Sequence, residues 1–268
     1  MLKFAANIST MFVEFEYLER YAAAAKAGFK MIECQFPYDF AANVHQEHLQ
    51  AHQLELLLLN SPPGDFQKGE RGLAALPGRE NEFKESIQQA LEYACVLNCD
   101  KLHVMAGVSK NEFPLEKQAE VYLENIKYAA EEAARQNRTI LIEPVNTFDV
   151  PGYFLNTPKQ AMAFLETIDL SNVRLQFDVY HCQKMVGHLE YHIRKYFHAI
   201  DHLQISALPN RNEPDQGEIN FPYIFSLLEE LGYQGWVGCE YTPRGSTLEG
   251  LGWLKRVARY RGSGIINN

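Results

Sequence analysis

Short apolar runs alternate along this chain with longer amphipathic stretches. The runs predict strands at Lys3–Ile8, Met31–Phe36, Glu55–Asn60, Lys101–Ala106, Thr139–Pro144, Val173–Asp178, His202–Ser206 and Trp236–Glu240. Between them the apolar period lengthens to that of a helix. Residues Glu80–Leu97 place Phe83, Ile87, Ala90, Leu91 and Ala94 on one side, and Leu115–Arg135 does the same with Ala119, Leu123, Ile126, Ala130 and Ala133. Spans 157–168, 182–196, 220–231 and 246–257 carry the same signature. Eight strand-then-helix units require parallel strands joined by helical crossovers, an α/β architecture. An open doubly wound sheet is the competing arrangement. The turn after Ile8 has no G-x-G-x-x-G, and eight is the closure number of a (β/α)8 TIM barrel, so a barrel is expected.

The longest irregular stretch, residues 61–79, follows the third predicted strand. That places it over the C-terminal mouth of a barrel, as a candidate lid. No compositional shift divides the chain, so residues 1–268 are expected to form a single domain, within the size range of such barrels. A net charge of −9 argues against nucleic acid as a partner. No apolar run is long enough for a membrane span or a signal peptide. The five cysteines, none in a C-x-x-C pair, suit reduced thiols and a cytoplasmic location. Whether the chain forms a homo-oligomer is left open.

In a parallel barrel the C-terminal strand ends converge on one face. Four polar residues stand at or near the ends of the last four strands: Glu143, Asp178, Gln204 and Glu240. Three carboxylates brought together in an apolar setting repel one another unless a cation joins them. An all-oxygen donor set suits a hard divalent ion, Mg2+ or Mn2+, better than Zn2+. The competing reading has each acid merely capping a helix or pairing with an arginine.

Longer motifs carry a resemblance. The segments Ile-Glu-Pro (142–144), Gln-Phe-Asp-x-Tyr-His (176–181), His-Leu-Gln-Ile (202–205) and Glu-Pro-x-x-Gly-Glu-Ile-Asn (213–220) resemble the hydroxypyruvate isomerase family, a branch of the xylose-isomerase-like barrels. The opening Phe-Ala-Ala-Asn-Ile-Ser, the loop 69–80 and the closing 232–241 are similar to it too, so the likeness runs from residue 3 to about 253. Segments 97–108 and 240–245 resemble at least as closely the related 2-oxo-tetronate isomerases. The resemblance implies that Glu143 and Glu240 bind metal and serve as the acid/base pair, with Asp178 and Gln204 completing the metal shell. It implies that His181 contacts a substrate oxygen, and by a looser match in spacing that Arg211 does similar work. Related keto-sugar epimerases carry His where Gln204 stands, which favours a keto-acid isomerase here.

The activity so implied converts a small keto acid, hydroxypyruvate to 2-hydroxy-3-oxopropanoate, through a metal-stabilised enediolate. The alternative of the same family is a 2-oxo-tetronate isomerase. More distant readings are a metal-dependent abasic-site endonuclease, disfavoured by the charge and by a strand-end set without histidine, and a catalytically silent sugar-acid binder. Arg71 and Arg79 in the long loop are candidates for gripping a substrate carboxylate. Glu33 and His103 are candidates for lining the mouth, although a hydrogen-bonded core histidine is the commoner fate of such a position.

Overall fold

The computed structural model describes residues 2–254. Eight parallel strands close into a barrel in chain order: β1 (Lys3–Asn7), β2 (Met31–Cys34), β3 (Glu55–Asn60), β4 (Lys101–His103), β5 (Thr139–Ile142), β6 (Val173–Asp178), β7 (Ile200–Ile205) and β8 (Trp236–Cys239), with β8 hydrogen-bonded back to β1. The expected α/β TIM barrel is the fold observed. Helices α1 (Glu19–Lys26), α2 (Ala42–His52), α3 (Glu80–Val96), α4 (Leu115–Ala134), α5 (Pro158–Ile168), α6 (Val179–Met185), α7 (Leu189–Tyr196), α8 (Phe221–Glu230) and α9 (Thr247–Gly250) lie between and after the strands.

The outward strand faces and inward helix faces form one core, in which Leu59, Leu102 and Ile140 share a cluster with Phe83, Ile87 and Ile126. Burial of this apolar surface is the main force holding the helices on the barrel. Helices α5 and α8 start where side chains replace missing backbone partners: Thr157 Oγ1 accepts from Gln160 N (3.2 Å) and Asn220 Oδ1 from Tyr223 N (3.2 Å), each with proline in the first turn.

Two expectations need correction. The single helix over 182–196 is two, α6 and α7, because Gly187 and His188 both adopt left-handed backbone (φ +63° and +49°) and break the hydrogen-bond ladder. The stretch 61–79 is not a free lid. Leu73, Ala74, Ala75 and Leu76 are buried, Gly72 pairs with Ala106 as an antiparallel bridge, and Asn125 Nδ2 holds the Ala74 carbonyl (2.9 Å). Residues 65–69 are the one exposed run in it, stiffened by a short 3-10 turn at Phe66–Lys68. The expected helix 246–257 begins with α9, and its part beyond residue 254 lies outside the described residues.

Candidate active site

Alternate residues of a strand face the same side, and in a barrel one side is the interior. The pairs 5/7, 141/143, 176/178, 202/204 and 238/240 follow this period at the C-terminal strand ends. They bring Asn7, Glu143, Gln176, Asp178, His202, Gln204 and Glu240 together with Glu33 and His103. None of these nine is more than 6% exposed.

The site has two halves. On one side stand Glu143, Asp178 and His181, whose ligand atoms all lie within 4.8 Å of one another. Asp178 ends β6 and also caps α6, accepting from Tyr180 N (2.8 Å), while His181 Nε2 lies 3.6 Å from its Oδ2. His103 Nδ1 is 3.6 Å from Glu143 Oε2, and Glu143 Oε1 has no hydrogen-bond partner among the described residues. On the other side Glu33 and Glu240 share two amide donors: Asn7 Nδ2 (3.2 Å to each) and Gln204 Nε2 (2.9 and 2.7 Å). Glu33 Oε1 also meets His202 Nε2 at 2.6 Å. The glutamate fits because β8 has no side chain at Gly238, where a Cβ would stand 1.9 Å from Glu33 Oε1.

Arg211 joins the halves. A tight turn, with Arg211 N donating to Ala207 O (2.7 Å) and Ala207 N to Asn212 O (2.9 Å), brings it back over the mouth in left-handed backbone. Its guanidinium reaches Glu240 Oε1, lies 3.5 Å from Asp178 Oδ2 and packs over the Tyr180 ring.

Burial dominates the electrostatics, since a charge removed from water is disfavoured. It pushes Glu143 well above the usual carboxylate range, with the charges of Glu240 and Asp178 adding to the effect. Glu240 is raised to about 7, again chiefly by burial, against the opposing pull of Arg211. Asp178 is raised by burial too, although Arg211 and the Tyr180 and His181 amides favour its anion. Both His103, pushed down to about 3, and His181 are held neutral by burial. Three buried carboxylates facing a single guanidinium leave an excess of negative charge, and an orphaned Glu143 oxygen points the same way: this donor set fits a cation.

The structure thus brings Glu143, Asp178, His181, Gln204, Arg211 and Glu240 to one place. Gln204, however, turns its NH2 group to the two carboxylates, and its Oε1 accepts from Gln176 Nε2 (2.7 Å). That orientation suits a donor between two acids and does not support it as an oxygen ligand. Histidines also stand beside the carboxylates, so the expected histidine-free strand-end set needs amending. Arg71 stacks on Phe66 (3.7 Å) with Nη1 bonded to the carbonyls of Phe66 and Glu70, and Arg79 is held by Glu70 and Glu82. Both are tied into their own loop. Sequence reasoning missed Asn7, Gln176 and His202. The signal for the last two is a polar residue two positions before a strand-end polar residue, which the period of two places on the same inward face.

A family model described as the xylose isomerase-like TIM barrel matches residues 21–257. The chain is 48% identical over 255 residues to the 2-oxo-tetronate isomerase of Cupriavidus necator, covering 95% of this chain and 98% of that protein. It is 40% identical over 254 residues to the hydroxypyruvate isomerase of Escherichia coli K12, again covering 95% of this chain and 98% of that protein. A crystal structure described as an AP endonuclease, family 2, from Brucella melitensis matches with a TM-score of 0.93 at 47% identity, covering 96% of this chain and 99% of that one.

Proposed function

The chain belongs to the xylose isomerase-like TIM barrel family, and on that footing we propose that it is an isomerase interconverting a short hydroxy-keto acid and its aldehyde acid. The observation that carries the reading is the pair Glu143 and Glu240. Both are buried at the inward ends of strands on opposite sides of the mouth, and burial raises both carboxyl groups above the usual carboxylate range, Glu240 to about 7. A carboxyl group titrating near the working pH is suited to both taking and returning a proton. One glutamate removes the proton from the hydroxyl-bearing carbon, leaving an enediolate. The other delivers a proton to the neighbouring carbon, while the hydroxyl proton passes to what was the carbonyl oxygen. His181 and Arg211 orient the substrate oxygens.

Glu143, Asp178 and Glu240 would hold a divalent ion, Mg2+ or Mn2+ by their oxygen donors, and such an ion would acidify the C–H beside the carbonyl and stabilise the enediolate charge. The relatives support two substrates. Hydroxypyruvate is the simplest; a 2-oxo-tetronate is the second reading, favoured by the 48% identity to the Cupriavidus necator enzyme.

A net charge of −9 disfavours a polyanion such as nucleic acid as the partner, and the keto-acid reading rests on the isomerase relatives. Among the described residues no helix is long and apolar enough to cross a membrane. All five cysteines are free, which supports a cytoplasmic setting.

The test is to assay purified protein with Mn2+ against hydroxypyruvate and the 2-oxo-tetronates side by side, in H2O and in D2O. Expected are turnover of at least one, loss of turnover on chelation, and deuterium at carbon in the product. Inertness toward all of them would refute the substrate class. Complete retention of substrate hydrogen at every conversion would refute the proton-transfer mechanism.

A further inference from the structure

Proximity alone would admit His181 to a metal group with Glu143 and Asp178. Its other neighbours say otherwise. Asn146, wholly buried three residues after Glu143, has its amide orientation fixed by the main chain: Oδ1 accepts from Phe148 N (3.1 Å) and Asp149 N (2.9 Å). Backbone N–H groups can only donate, so the oxygen must face them and Nδ2 must face the other way. There it donates to Asp149 Oδ2 (2.9 Å) and meets His181 Nδ1 at 2.6 Å. The backbone N of Asn146 lies 3.3 Å from the same ring nitrogen. Asp149 is itself anchored, accepting from Tyr180 OH (2.8 Å) and pairing with Lys184 Nζ (2.5 Å).

Two donors converge on Nδ1, and a proton placed there would oppose both. We infer that Asn146 is a positioning residue that locks His181 as the neutral tautomer protonated on Nε2, making the imidazole a hydrogen-bond donor to a substrate oxygen and not a metal ligand. A ligating histidine shows the reverse pattern: its remote nitrogen donates to a carboxylate or carbonyl, leaving the near nitrogen's lone pair for the ion. Here the remote nitrogen accepts. Nε2 carries its proton toward the space between Asp178 and Glu143, where at 3.6 Å it is too far from Asp178 Oδ2 to hydrogen-bond. The kinetic part of this inference rests on the isomerase reading; the tautomer does not.

The tautomer is directly visible. In metal-free, full-length protein labelled with 15N-histidine, long-range 1H–15N correlations distinguish a protonated Nε2 from a protonated Nδ1. Wild-type His181 should show the Nε2–H pattern. A protonated Nδ1, or an imidazolium at neutral pH, would overturn the inference without recourse to any variant. Asn146→Ala should move the signals toward a tautomer mixture and lower kcat/KM by roughly 10- to 100-fold, the usual cost of losing an orienting partner. Unchanged signals in that variant would remove Asn146 from the role. His181→Ala should still bind Mn2+ as the wild type does, measured by titration calorimetry, and loss of that binding would return the imidazole to the metal shell. Inactivity of the wild type toward every keto acid would refute the proposed function while leaving the tautomer result standing.

Discussion

Glu240→Gln offers a test of the site's electrostatics that needs no substrate. In the folded chain burial raises Glu240 from an ordinary 4.5 to about 7. A group whose folded pKa is raised holds more protons in the folded than in the unfolded state across that interval, so stability falls as pH climbs through it. The difference is about 2.5 pH units, and at ~1.36 kcal/mol each the penalty reaches about 3 kcal/mol above neutrality. The amide of the Glu240→Gln variant cannot ionise and escapes it. The lost Arg211 ion pair adds an offset, but the slope belongs to the titration. Removing Glu240 also removes one of the charges that raise Glu143, which changes the slope with the same sign. The assay is thermal unfolding of both proteins in chelator from pH 4.5 to 8. The Tm of wild type minus variant should fall by roughly 6 to 12 °C across that range, at about 2–4 °C per kcal/mol for a chain of this size. Saturating Mn2+ should abolish the fall for wild type, because a bound cation takes the place of the proton. A Tm difference that stays flat with pH, or rises, would refute the claim that Glu240 is buried among like charges.

Other outcomes follow from single contacts. Gly238→Ala puts a methyl group where Glu33 Oε1 now lies, 1.9 Å away. It should cost about 1–3 kcal/mol by chemical denaturation and reduce kcat, since Glu33 and Glu240 share their amide donors; wild-type values in both would show that the glutamate can move aside freely. Arg79→Ala should lower global stability by no more than about 1 kcal/mol, as expected of a pair near the surface, yet speed amide hydrogen exchange in residues 65–71, which Glu70 anchors through Arg79. Exchange confined to wild-type rates would locate the loop's anchorage in its buried half alone.

The barrel was legible because its signals are local. Each strand is a short apolar run, and helices such as α3 and α4 repeat alanine and larger apolar residues at helical spacing. The break between α6 and α7 was not read, because the helical apolar pattern on both sides masks the signal that Gly187 carries. The strand-end residues Glu143, Asp178, Gln204 and Glu240 could be placed from sequence because the fold decides where strand ends go. What could not be placed depends on pairings between distant residues: Glu33 with His202, Asn7 between two glutamates, Gln204 turned to donate. Arg211 reaches the mouth through a left-handed turn at a non-glycine residue, a conformation composition does not announce. The burial of residues 72–76 likewise follows from a bridge to Ala106 across the β4 loop, which no periodicity within 61–79 reveals.

The closure of β1 onto β8 has a consequence for how the molecule comes into being. Asn7, near the beginning of the chain, donates to Glu240, and Phe12 N donates to Thr247, which in turn is held by Glu14. During synthesis from the amino terminus, β1 therefore waits for more than nine-tenths of the described chain before its second neighbour exists. Until then the nascent sheet has two bare edges, at β1 and at the latest strand made, each able to pair with another chain. Contacts this far apart in sequence also slow folding, because a long loop must be ordered before they repay it. The arrangement that completes the acid cluster is thus the last to form, and the interval before it forms is when this chain is most exposed to aggregation.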